Sequence, residues 1–293
     1  MKNFLLVLGA WFVCGPLHVA PTWAAEPAKP NVIVILCDDL GYGDVQCLNP
    51  EGKIATPHMD RLAREGVVFT DAHSSSGVCT PTRYALLTGR YNWRTRLQSG
   101  VLGGISPRLI EPEVKTMADV MREQGYSTAC VGKWHLGLDW KKKTPDAKFE
   151  DKIEQGQQGW DVDYQQPFTN GPNAVGFDYF FGISASLDMV PYTFLENDRV
   201  VAIPDVDEAY PMMLGRNPDK TTRRGPAYEP FDADQVLPAL TAKSVELIDK
   251  WADGARQGKP FYLYVPFASP HTPIVPNNLW YGKVKDSIRM QIS

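Results

Sequence analysis

The 293 residues are 43% apolar and 22% charged, ordinary globular proportions that exclude a disordered or fibrous chain. Thirty Lys and Arg against 34 Asp and Glu leave a net charge of −4. That balance provides no basic footprint for nucleic acid and no strong field for an anionic surface, so an anionic substrate would need a locally positive site.

In chain order, Lys2 precedes the apolar run Phe4 to Val13, and the small residues Ala20, Ala24 and Ala25 stand just before Glu26. This is the charge, core and cleavage-site order of a secretory signal peptide over residues 1–25, and it predicts a secreted or periplasmic protein. The run falls short of the ~20 residues of a membrane span, and no later segment is long and apolar enough to provide one. Four cysteines follow, Cys37, Cys47, Cys79 and Cys130, with no zinc-like spacing. Export permits disulfides, but Cys37 and Cys130 sit in strand-like apolar runs and are expected to be buried free thiols.

Asn31 to Leu36 is continuous, apolar and β-branched, the pattern of a strand buried on both faces. Pro57 to Glu65 predicts a helix with proline in its first turn and Gly66 as its stop, followed by a short strand over Val67 to Thr70. Further helices are expected over Pro81 to Leu87, ended by Gly89, and over Thr116 to Gln124, closed by Gly125. Ser127 to Val131 is a third strand, Val236 to Ala255 a longer amphipathic helix, and Phe261 to Phe267 a final strand. The alternation predicts an α/β fold with a mostly parallel sheet. Lys141 to Pro230 breaks the rhythm and is expected to run as irregular excursions over the sheet's carboxyl edge.

Four features fall at a strand end or helix start, where open α/β sheets bind ligands. Asp38 and Asp39 follow the first strand, and two adjacent carboxylates there suit a hard divalent cation or, equally, a solvated turn. Cys79-Thr80-Pro81-Thr82-Arg83 opens a helix whose free N–H groups favour an anion. Cys79 and Arg83, four apart, would share a face if the helix reaches back that far. Gly132-Lys133-Trp134-His135-Leu136-Gly137 follows the third strand, and a continued extended backbone would put Lys133 and His135 on one side. Ser269-Pro270-His271-Thr272-Pro273 follows the last strand, with prolines holding His271 in an extended turn. Taken singly, a cysteine before a helix, a Lys and His two apart or a loop histidine is more often structural. His58 and His73 are expected to have local partners only. Trp160, Tyr164, Tyr179, Phe180, Phe181 and Tyr192 suit a substrate cleft or plain packing.

Together these residues resemble a known family. Cys-x-Pro-x-Arg at 79–83 followed by Leu87-Thr88-Gly89-Arg90 is similar to the sulfatase signature. Asp38-Asp39-Leu40-Gly41-Tyr42-Gly43-Asp44 and the hexapeptide at 132–137 are similar to two further family segments. The resemblance implies an alkaline-phosphatase-like α/β sandwich and hydrolysis of sulfate esters of small molecules or glycans. It also implies that a formylglycine-generating enzyme converts Cys79 to formylglycine, and that Asp38, Asp39 and residue 79 ligate Ca²⁺ rather than Mg²⁺. Arg83 and Lys133 would stabilise sulfate, His135 would take a proton and His271 would serve the leaving oxygen.

Family members continue past the His271 strand with an Asp-Asn or Asp-His pair, a lysine and a smaller C-terminal domain. Asn277, Asn278 and Asp286 do not match that pair, and Val284 to Ser293 does not resemble the family. The expectation is therefore a catalytic domain over 26–293, incomplete at its C-terminal end, with a sheet edge exposed and activity in doubt. The alternatives are a phosphate or phosphonate ester hydrolase of the same fold, or a non-functional truncated product.

Overall fold

The apolar run after Pro30 forms strand β1, Val32–Asp38, of a six-stranded sheet. A computed structural model describes residues 28–149, 151, 156–213, 219–277 and 279. The expected signal peptide, Asn278 and the stretch containing Asp286 lie outside the described residues.

Chain order runs β1, α1 (Pro57–Glu65), α2 (Cys79–Thr88), α3 (Met117–Glu123), β2 (Ser127–Lys133), then a short α4 (Gly156–Gly159) and β3 (Tyr179–Ile183). There follow the hairpin β4 (Leu195–Glu196) and β5 (Arg199–Val200), the ribbon β6 (Val206–Glu208) and β7 (Gly225–Ala227), α5 (Val236–Arg256) and β8 (Phe261–Pro270). The main sheet has the order β1-β8-β2-β3-β4-β5. Its first four strands are mutually parallel, and β4 and β5 add an antiparallel edge. The expected α/β fold with a mostly parallel sheet is thus the observed one.

Helix ends follow local chemistry. Gly89 closes α2 in the left-handed region at φ 66°, its N–H bonded to Ala85. Thr116 and Asp119 cap α3 reciprocally. Strand β8 is covered on both faces because successive side chains point opposite ways. Phe261 packs on Trp251 of α5, whereas Tyr262 and Tyr264 stack on Phe177. Leu263 and Val265 are buried beside them. Continuous apolar character in this strand is thereby explained.

Four expectations need correction. Val67 to Thr70 is not a strand: Val67 and Phe69 are exposed, and no described neighbour completes a ladder for them. The irregular stretch is not all loop: it contains β3, β4 and β5 of the main sheet and the separate ribbon β6–β7. Cys37 is only half-buried, while Cys130 is fully buried, and both are free. The run at β1 is not buried on both faces: among the described residues β1 is an edge strand of the sheet, with Ile33 and Ile35 exposed.

Strands β2 and β3 approach unusually closely where Gly132 faces Gly182. A Cβ on Gly182 would stand 1.8 Å from the Gly132 carbonyl oxygen. Gly182→Ala should therefore destabilise the chain by about 1–3 kcal/mol or more through overpacking. Urea denaturation checks this, and an unchanged midpoint would contradict it.

Candidate active site

The carboxyl ends of the four parallel strands deliver Asp38 from β1, Lys133 from β2, the Ser184–Ser186 segment after β3, and His271 after β8. Helix α2 brings Cys79 and Arg83 to the same edge, because its first residue is Cys79 itself. Its N-cap, Val78, makes no side-chain cap, so the first N–H groups remain available to an anion.

Asp38 is the hub. Its carboxylate is nearly inaccessible and receives the Lys133 ammonium in a short ion pair, with the Arg83 Nη2 at 3.5 Å. Burial alone would raise the Asp38 pKa, but Lys133 and Arg83 outweigh it and hold the group below the ordinary carboxylate range. Cys79 Sγ lies 3.4 Å from Asp38 Oδ1 and 3.3 Å from Lys133 Nζ. Burial raises the Cys79 pKa despite Lys133, and Asp38 adds to the effect, so residue 79 as plain cysteine is a protonated thiol and a weak nucleophile. Two buried cations against one buried carboxylate leave an excess of positive charge, which supplies the locally positive site within an acidic chain.

Arg83 is wholly buried and largely committed: Nη1 donates to the Lys133 carbonyl at 2.8 Å and Nη2 to that of Phe267 at 3.4 Å. Only its Nε lacks a partner. The i, i+4 relation to Cys79 thus serves assembly of the strand ends as much as anion contact.

His135 corrects the expected geometry. The backbone does not stay extended; it enters the left-handed region at φ 56°, where β-branched residues are disfavoured and His is tolerated. The ring is buried, with Nε2 2.6 Å from the Leu102 carbonyl oxygen. A carbonyl only accepts, so Nε2 carries the proton and Nδ1 is left as an unpartnered buried lone pair. Burial first, then Lys133 and Arg83, drives the His135 pKa well down, so the ring is neutral.

His271 is tied to the hub through its backbone N–H, which donates to the Asp38 carbonyl at 2.9 Å. Its Nδ1 lies 2.6 Å from the Thr272 carbonyl and 3.2 Å from Ser186 Oγ. The carbonyl again fixes a proton on Nδ1, and Nε2 lies 3.7 Å from Asp39 Oδ2. Ser186 Oγ accepts from Lys133 Nζ at 3.1 Å and from His271, which leaves its own proton free to donate. Sequence reasoning missed Ser186. The signal available was the aromatic run before it, a strand whose carboxyl end had to carry something.

Other assignments resolve simply. His58 is exposed on α1, and His73 pairs on the surface with Asp71 at 2.7 Å. Tyr164, Phe180 and Tyr192 are core residues, so packing explains them, and Trp160, Tyr179 and Phe181 are half-buried.

Asp38 and Asp39 offer the hard oxygens that Ca²⁺ or Mg²⁺ prefers, but Asp38 is occupied by Lys133, Arg83 and Cys79. Among the described residues no group of three or more His, Cys, Asp or Glu could hold a metal. Ca²⁺ takes six to eight ligands, so these residues do not compose a calcium site by themselves. No helix of the described residues is long and apolar enough to cross a membrane.

A mostly parallel sheet with a cysteine, two cations and two histidines gathered at its carboxyl edge is the arrangement of the alkaline-phosphatase-like fold. Comparison with known proteins specifies it further. The family model for sulfatases matches residues 30–289, and the chain belongs to the sulfatase family. It is 34% identical over 282 residues to an N-acetylgalactosamine-6-O-sulfatase of Bacteroides thetaiotaomicron, covering 87% of this chain and 51% of that protein. It is 33% identical over 252 residues to human arylsulfatase A, covering 85% and 42%. A solved structure from the metabolism of multiple glycosaminoglycans by Bacteroides thetaiotaomicron superposes with a TM-score of 0.71 at 32% identity, covering 90% of this chain and 56% of that one. The PsFucS1 sulfatase of Pseudoalteromonas gives 0.59 at 25% identity, covering 89% and 49%. The chain spans about half the length of the curated relatives it matches.

The state of His135 makes a pH prediction. Its native pKa lies below the unfolded value of ~6.5, so below that pH the unfolded chain binds a proton that the native chain refuses. Stability should fall on acidification below pH ~6.5 with a His135 component of up to about 1.4 kcal/mol per pH unit. Denaturation at pH 7, 6 and 5 should show a shallower fall in His135→Gln; equal slopes would contradict the neutral assignment.

Proposed function

We propose that this chain carries the sulfate-cleaving centre of a formylglycine-dependent sulfatase acting on sulfated small molecules or glycans. The observation that carries the reading is Cys79, at the open first turn of α2, lying 3.3 Å from a buried Lys133 within an excess of positive charge. A protonated thiol held there is a poor nucleophile, which suits a residue meant to be oxidised by a formylglycine-generating enzyme. The hydrated aldehyde would supply a hydroxyl nucleophile toward sulfur.

The chain's own residues divide the remaining work. Lys133 and the uncapped N–H groups of α2 hold sulfate oxygens, and Ser186 donates its free proton to the same anion. Arg83 keeps Asp38 ionised and the ends of β2 and β8 in place, with Nε left for the anion. His135 Nδ1, an unpartnered lone pair on a neutral ring, is free to accept a proton, although burial and the nearby cations make it a weak base until a bound anion offsets their charge. His271 would serve the leaving oxygen through Nε2 in its doubly protonated form, since the Thr272 carbonyl keeps one proton on Nδ1 and Nε2 can donate only when it carries the second. Asp38 and Asp39 are the carboxylates that would face Ca²⁺, which needs further oxygen ligands beside them. The signal-like residues 1–25 support export to the periplasm or beyond.

The sulfated substrate class follows the relatives, one of which is named for N-acetylgalactosamine 6-O-sulfate and another for aryl sulfate. The test combines peptide mass spectrometry with hydrolysis of 4-nitrophenyl sulfate and 4-nitrophenyl phosphate. The expected result is loss of mass at residue 79 matching exchange of CH₂SH for CHO, with sulfate preferred over phosphate. Cys79→Ala should lower turnover by at least about 10³-fold. A thiol retained in a host that has the modifying enzyme would sink the reading, and phosphate preference would shift it to the phosphate-ester alternative.

A further inference from the structure

Beyond the sulfate-facing residues, the loop leaving β3 carries a second polar arrangement. Met189 N–H bonds to the Ser186 carbonyl at 3.0 Å, so Ser186 to Met189 is a tight turn. Asp188 therefore lies within about 7 Å of Ser186, whose hydroxyl touches Lys133 and His271. Asp188 is buried to 8% exposure and forms a short ion pair with Arg223 Nη1, which also donates to the Asp188 carbonyl at 3.0 Å. The other carboxylate oxygen, Oδ1, is buried without a partner. A buried carboxylate oxygen with nothing to accept is uncommon and marks a missing donor.

Arg223 is held from several directions. Its N–H donates to the Asp188 carbonyl at 3.3 Å, and its own carbonyl accepts from the hydroxyl of Tyr192, a fully buried ring. The adjacent Thr222 pairs with Tyr210 through both backbone N–H groups, at 2.7 and 3.0 Å. The same excursion reaches the His271 loop, where Ile274 N–H bonds to the Met212 carbonyl at 2.9 Å. The guanidinium stem is thus fixed, whereas the side chain remains 29% exposed. Among the described residues nothing occupies its Nε and Nη2.

We propose that Arg223, oriented by Asp188, is the subsite that grips the alcohol part of the ester, and that it takes vicinal ring hydroxyls of a sugar. This rests on the sulfatase reading of the neighbouring centre. The chemistry selects the ligand class. The ion pair is neutral overall, so it offers little to a second anion. The pair holds N–H donors on a partly exposed side chain and, buried beside them, an unfilled acceptor, a combination that matches hydroxyls that donate and accept at once. A flat aryl ring offers neither. Arg223 is the contact residue; Asp188 is a positioning residue that fixes the fork's plane and neutralises its charge.

The experiment compares galactose 6-sulfate with 4-nitrophenyl sulfate on the wild-type chain, Arg223→Gln, Arg223→Lys and Asp188→Asn. Calorimetric affinities for galactose 6-sulfate and inorganic sulfate are measured in parallel. The expected result in Arg223→Gln is a fall of about tenfold or more in the ratio of sugar to aryl kcat/KM, carried by the sugar KM. The ratio of sugar to inorganic-sulfate affinity should fall equally. Arg223→Lys keeps the charge but loses the fork, and should not restore the ratio. Asp188→Asn should lower it in the same direction. Equal losses on both esters would reveal a purely structural pair and overturn the proposal, as would ratios unchanged within twofold or no detectable binding of the sugar. If neither ester is hydrolysed but sugar affinity still depends on Arg223, the catalytic reading fails and the sugar subsite stands.

Discussion

The structure turns on one buried carboxylate. Asp38 binds Lys133 and Arg83 in a space from which water is nearly excluded. Burying either cation without it would cost several kcal/mol. Through Lys133 it fixes the end of β2 and the Cys79 thiol; through Arg83 it fixes α2 and the end of β8. Its backbone carbonyl receives the His271 N–H. Four strand ends and a helix start are thereby held about one group, and one positive charge remains to meet an anion.

Two of the four described non-glycine residues in the left-handed region, Asp39 and His135, stand at this edge, at φ 62° and 56°. Such residues cost of order 1–3 kcal/mol when surroundings must impose them, and here the hub and the Leu102 carbonyl do so. At His135 the ring is held in the interior, where burial and nearby cations keep it neutral.

Much of the frame was legible because its signals are local. The runs of β1, β2 and β8, the glycine stops after α1 and α2 and the reciprocal cap of α3 depend on nearest neighbours, and the structure returns these elements with their ends shifted by at most about three residues. Strand β3 was hidden because its five residues sit among glycine-, proline- and aromatic-rich loops that drown the pattern. Val67 to Thr70 failed for the opposite reason: strand propensity forms nothing without a ladder partner. At the site, residue types at strand ends were readable, but their pairings were not. No spacing shows that Asp38 and Lys133 meet across 95 residues, that Leu102 sets the tautomer of His135, or that Ser186 bridges Lys133 and His271. Those are products of long-range packing.

The most direct test of the central claim is a double-mutant cycle on unfolding free energy between Asp38→Asn and Lys133→Met. If Asp38 is the hub, the two substitutions couple by about 1–3 kcal/mol, because losing the second partner relieves the charge stranded by losing the first. Additivity within about 0.5 kcal/mol would mean that the pair does not hold the site together.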